Sequence, residues 1–199
     1  MSRASDNFKA ARQQFHAVDF IETELSKLES VEVSAERLIR KGKKIDVLIN
    51  NAALQSTPTF LEDDFRYEQI RREIDVNFTS VCCLTHLLLP LLVKDTQSVI
   101  MNINSGLAIV PKTSSAVYCA TKGALNIFSQ SLRHQLENTN IDVKQCLLPL
   151  VETKMTEGRG SKKLTAQHAA AQIVRGISCL LYTSPSPRDL STSRMPSSA

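Results

Sequence analysis

The stretch SVIMNINSGLAIVPKTSSAVYCATKGALNIFSQSLRHQL, residues 98–136, decides the fold. Residues 98–103 read as a buried strand. Residues 118–137 carry Leu125, Phe128, Leu132 and Leu136 at helical spacing. Working outward, residues 46–50 (DVLIN) and 141–148 read as two more buried strands. Residues 65–93 read as one or two helices, with 87–93 apolar on all sides and therefore buried. Residues 165–177 read as a last amphipathic helix. Before residue 46, a helical stripe runs over 21–41 through Ile21, Leu25, Leu28, Ala35, Leu38 and Ile39, and residues 16–20 are a short strand candidate. Strands alternating with helix-length crossovers predict an α/β fold with a doubly wound parallel sheet.

Composition agrees and excludes much else. The chain has 199 residues, 42% apolar and 22% charged, as in one soluble globular domain. Apolar runs such as 87–93 fall far short of the ~20 residues of a membrane span. Residues 1–10 lack the apolar core of a secretion signal. The five cysteines (82, 83, 119, 146, 179) show neither paired nor metal-type spacing, so reduced thiols, a cytoplasmic location and no metal are expected. A net charge of +4 is mild and dispersed, so neither a nucleic-acid nor a membrane partner is expected.

Tyr118 and Lys122 stand at i and i+4 on the predicted helix, which puts hydroxyl and ammonium on one face. A nearby cation favours the phenolate and lowers the tyrosine pKa, making Tyr118 a proton donor and acceptor. Ser105 follows a buried strand, where parallel sheets place their sites. Asn77 lies inside an otherwise apolar helix, where an amide needs a partner or a purpose. Asn50, Asn51, Ala52 and Ala53 close the strand DVLIN at its carboxyl edge. Each residue has a plainer reading: Ser105 ends a strand, Asn77 is a satisfied core amide, and Asp19 caps the following helix.

Together these residues resemble the short-chain dehydrogenase/reductase family, the single-domain Rossmann type, over residues 1–178, and residues 105–136 are particularly similar to its DltE-like branch. The resemblance implies a catalytic tetrad on Asn77, Ser105, Tyr118 and Lys122. It implies hydride transfer between a nicotinamide and a carbonyl or alcohol carbon of a small-molecule substrate. Tyr118 would exchange the hydroxyl proton, Lys122 would hold the nicotinamide ribose, Ser105 would bond the substrate oxygen, and Asn77 would position a relay water. Cofactor contacts are implied at Arg3, Asp19, Phe20, Asn50, Asn51, Ala52, Tyr118, Lys122, Val151 and Thr153. Ala53 stands where the family has Gly. Homodimers or homotetramers through the helices at 78–93 and 118–136 are also implied.

The six glycines (42, 106, 123, 158, 160, 176) include no cluster that opens a first βα unit. That turn lets a backbone approach the pyrophosphate. The sheet is therefore expected to lack its first βαβ unit, leaving DVLIN an open apolar edge. The chain is expected to be a fragment cut at both ends, binding cofactor poorly and inactive by itself, against about 250 residues for a complete domain. Arg3, placed after the second strand, leans the cofactor to NADP over NAD. Residues 179–199, with six Ser and three Pro, resemble translated sequencing adaptor and are set apart from the domain at 1–178. Two alternative functions remain: an epimerase or dehydratase relative, and a non-enzymatic Rossmann-type binding or regulatory protein.

Overall fold

The computed structural model describes residue 13 and residues 18–178. Arg3 and the segment at 179–199 lie outside them. Five helices and three strands follow in order: α1 (Leu28–Arg40), β1 (Val47–Asn50), α2 (Tyr67–Ile74), α3 (Ser80–Leu92), β2 (Ser98–Ser105), α4 (Ala116–Gln135), β3 (Ile141–Leu148) and α5 (Ala166–Ser178). The strands form one parallel sheet in the order β1-β2-β3, with Val47 opposite Val99 and Ser98 opposite Ile141. This is the expected α/β architecture.

β2 is buried on both faces along most of its length, so each face needs a cover. Ile100 packs with Leu92, Leu132, Ile141 and Val143 under α3 and α4. Val99, Met101 and Ile103 pack with Ile173 and Ile177 of α5. Along the α4 face the strands change character. Toward the amino ends stand Leu48, Ile100 and Ile141; toward the carboxyl ends stand the buried amides Asn50, Asn102, Asn104 and Gln145. The apolar half supplies burial energy, and the amide half positions the site.

α2 and α3 are joined by a π-helical turn, Asp75–Thr79, into a continuous helix, Tyr67–Leu92. It has 26 residues and is long and apolar enough to cross a membrane by length and composition alone. Its inward residues Leu88, Leu91 and Leu92 instead pack on α1 and the sheet. Phe78, in the π turn, meets Phe128 of α4 edge-on, with ring centroids 5.9 Å apart.

Two expectations need correction. No strand forms at 18–20; these residues are bend and coil, and residues 16 and 17 lie outside the description. Among the described residues β1 is the sheet edge, with Ile49 45% exposed. The helix expected from residue 21 starts only at Leu28, because Glu24 accepts from the Ser26 N–H and hydroxyl and the Lys27 N–H turns back to the Glu24 carbonyl. The buried face of α1 is Val31, Ser34 and Ala35, which rotates Leu28 and Ile39 outward.

Candidate active site

A cleft of about 1340 Å³ opens at the carboxyl ends of the strands, between the loops after β1, β2 and β3 and helix α5. Parallel sheets place ligand sites at this edge. Ser105, Tyr118, Lys122, Asn51, Ala52, Val151 and Thr153 all line it.

Ser105 is the last residue of β2 and caps the 3-10 turn Gly106–Ala108; its Oγ accepts the Leu107 N–H at 3.2 Å. The neighbouring Asn104 accepts the Ser105 N–H at 2.9 Å and donates to the Lys122 carbonyl and to Gln145. One amide thus ties β2 to both α4 and β3 beneath the reactive groups. Tyr118 and Lys122, one turn apart on α4, are both buried. The Lys122 ammonium donates to the Ile103 carbonyl at 2.9 Å and lies 5.7 Å from the centroid of the Tyr118 ring.

Burial sets the acid-base state of this pair. It pushes the Tyr118 hydroxyl above its ordinary value, and the hydrogen bond to Ser105 pulls part of the way back. It lowers Lys122 to about 8. The expected lowering of Tyr118 by Lys122 is not found: loss of water around the phenolate dominates, and the groups that pull the value down are Ser105 and Arg159.

Asn77 is 1% exposed. Its Nδ2 donates to the Leu54 carbonyl and to Thr121 Oγ1, and its Oδ1 accepts the Leu54 N–H at 2.7 Å. Both amide donors are used, so the side chain fixes the loop after β1 to α4. One turn earlier, Glu73 accepts the Ser56 N–H at 2.7 Å. Glu73 is 2% exposed, and burial raises its pKa. Residues 73 and 77 therefore grip two alternate residues of the loop that carries Asn51, Ala52 and Gln55 into the cleft.

Other sequence candidates lie elsewhere. The Asn50 amide does not line the cleft; it donates to Asn102 at 2.8 Å, and Asn102 donates to Ser129 at 2.9 Å. Asp19 is exposed and paired with Lys41 at 2.7 Å, which holds its carboxyl below the usual range. Neither Asp19 nor Phe20 lines the cleft. Sequence reading missed Glu73, Asn104 and Arg159. Arg159 lines the cleft, donates to Gln55 and lies close enough to Tyr118 to lower its pKa. A buried carboxylate at i−4 from Asn77 was the available signal for Glu73; Arg159 and Gln55, 104 residues apart, gave none.

Comparison with known proteins fits this geometry. The short chain dehydrogenase family profile matches residues 1–164. An uncharacterised oxidoreductase, DltE, of Bacillus subtilis is 30% identical over 161 residues, covering 81% of this chain and 64% of that protein. The very-long-chain 3-oxoacyl-CoA reductase of Mus musculus is 34% identical over 118 residues, covering 58% of this chain and 38% of the enzyme. The chain thus spans less than two thirds of the length of these relatives. A short chain dehydrogenase from Burkholderia cenocepacia, solved in complex with NADP, shares the fold with a TM-score of 0.76 at 19% identity, covering 89% of this chain and 78% of that one. A 3-ketoacyl-(acyl-carrier-protein) reductase from Brucella melitensis, solved with NADH, gives 0.72 at 23% identity, covering 84% and 76%.

Proposed function

The chain belongs to the short-chain dehydrogenase family, and on that premise we propose that it is an oxidoreductase moving a hydride between a nicotinamide cofactor and a carbonyl or alcohol carbon of a small substrate. The observation that carries this reading is the convergence of Ser105, Tyr118 and Lys122 on one cleft at the strand ends.

The residues present fit the nicotinamide end of such a cofactor. The cleft offers the hydroxyls of Ser105 and Tyr118, the buried Lys122 ammonium and an apolar wall, and Val151 and Thr153 line it too. Tyr118 and Lys122 would hold the nicotinamide ribose, and Val151 and Thr153 its amide. A bound nicotinamide supplies or accepts the hydride. Tyr118, kept protonated at neutral pH by its burial, gives the proton at its Oη to the substrate oxygen in reduction. Ser105 donates to the same oxygen as negative charge gathers there. Lys122 is cationic at neutral pH and stabilises the phenolate that Tyr118 leaves. Asn77 and Glu73 keep the loop after β1 against this corner. The lean to NADP rests on Arg3.

Free thiols at Cys82, Cys83, Cys119 and Cys146 favour a reducing compartment, the cytoplasm. Self-association through α3 and α4 is part of the same reading, with Ile127 of α4 65% exposed. A binding role without turnover is the second reading.

The test offers the chain deuteride donors labelled on the nicotinamide: NADPH, NADH and reduced nicotinamide mononucleotide, which needs no pyrophosphate cradle. A panel of ketones and aldehydes is supplied, and the alcohols are analysed by mass spectrometry. Deuterium on the former carbonyl carbon supports the reading, and a higher yield from NADPH than from NADH supports the lean to NADP. No transfer from any donor contradicts it and favours the binding role.

A further inference from the structure

The charged side chains lining the cleft are Lys112, Lys122, Lys154 and Arg159, and no carboxylate joins them among the described residues. Glu152 and Glu157 flank the same loop but stand outside the lining, and Glu73 lies behind the loop after β1. The remaining wall is largely aliphatic: Leu107, Val110, Met155, Ile173 and Val174. Val110 and Val174 are 70% and 61% exposed, an apolar surface ready for a ligand.

Arg159 is the best placed of these cations. It sits between Gly158 and Gly160, whose φ angles of 73° and 56° are left-handed. A Cβ at Gly160 would stand 2.8 Å from a Leu150 methyl, so the turn carrying the guanidinium needs glycine there. Gln55, held by the loop that Asn77 and Glu73 grip, accepts one guanidinium N–H. That partner is neutral and orients the group while leaving its charge uncompensated. The fork of an arginine held this way suits a planar or tetrahedral oxyanion. Its charge reaches Tyr118, which puts it within substrate length of the reacting carbon.

We propose that the cleft takes a substrate with an apolar body and an anionic head, a carboxylate or a phosphate ester, and that Arg159 recognises the head. This rests on the oxidoreductase reading of the same cleft and names the class of molecule that would be reduced or oxidised there. Lys112, on the loop after β2, adds to the field that draws an anion in.

The test is calorimetric titration of the full chain with decanoate, decyl phosphate and decan-1-ol below their micelle points. The same titrations are run on Arg159→Gln and Gln55→Glu, and folding is checked by circular dichroism. At least one anion should bind about tenfold tighter than the alcohol, and the tighter of the two names the head group. Arg159→Gln should bring the anions to within about twofold of the alcohol. Gln55→Glu, which neutralises the guanidinium in place, should do the same if Arg159→Gln fails to fold. Equal binding of alcohol and anions to the natural chain overturns the proposal, as does a preference that survives in the folded variants. A parallel NADPH titration that weakens in Arg159→Gln by the same factor also overturns it, by giving the arginine to the cofactor. Anion preference without deuteride transfer leaves this proposal standing and removes the redox reading alone.

Discussion

Beneath Ser105 and Tyr118, polar side chains are buried against partners from other strands and helices, whereas the ion pairs before β1 lie at the surface. Asn102, fully buried, stands between Asn50 of β1 and Ser129 of α4. Asn104 links β2 to α4 and β3, and Gln145 passes the link on to Asn126. Before β1, Asp19 pairs with Lys41, and within α1 Glu36 pairs with Arg40, all of them exposed. A surface pair competes with water on nearly equal terms. A buried amide has no such alternative, and losing its partner leaves an unsatisfied group in the core. The corner around Ser105 and Tyr118 is therefore built by buried polar partners, whereas before β1 the core contacts of Val31 and Ala35 hold the segment and the exposed ion pairs add little.

The sharpest way to break this contrast is Asn102→Ala. It strands the Asn50 amide, leaves the Ser129 hydroxyl with only its bond to the Leu125 carbonyl and opens a small void, so a loss of about 3 kcal/mol in urea unfolding is expected. A loss no larger than that of an exposed variant would remove the contrast. Next in size is the pH response set by Lys122. The folded chain holds this proton more weakly than the unfolded chain, so the unfolded state carries more protons between about pH 8 and 10.5. Stability should rise with pH from about 8 to about 10, on the order of 2 kcal/mol, relative to Lys122→Met. Above that range, ionisation of Tyr118 in the unfolded chain acts in the opposite direction. Parallel pH profiles for the two proteins would show that the ammonium is not desolvated.

Asn77→Ala should cost between about 1 and 2 kcal/mol and speed hydrogen exchange at the Leu54 amide, which loses its acceptor. Unchanged exchange would mean that Asn77 does not hold the loop. Asp19→Asn marks the small end: the urea midpoint should stay within error, and a measurable drop would show that the exposed Asp19–Lys41 pair contributes to stability.

The same contrast explains what could be read in the sequence. β3 was expected over residues 141–148 and is found there, because β-branched and apolar residues dominate a strand covered on both faces. Ser105, Tyr118 and Lys122 were legible because a strand end and an i, i+4 pair are local signals. Asn50 was misjudged although the signal was present: it shares a face with Leu48, two residues earlier, and so points under α4 rather than into the cleft. The helix start failed at the Glu24–Ser26 turn, where side-chain acceptors compete with helical bonds. The Arg159–Gln55 contact was illegible because it depends on two loops meeting across the cleft.

The most direct test of the central claim, that the corner of Ser105, Tyr118 and Lys122 carries proton-coupled hydride transfer, compares the natural chain with Tyr118→Phe in the deuteride assay. Tyr118→Phe keeps the ring and removes the hydroxyl that carries the proton. The account predicts deuterium on the alcohol carbon with the natural chain and a rate lower by roughly a hundredfold or more in the variant. Transfer by Tyr118→Phe at the natural rate would contradict it.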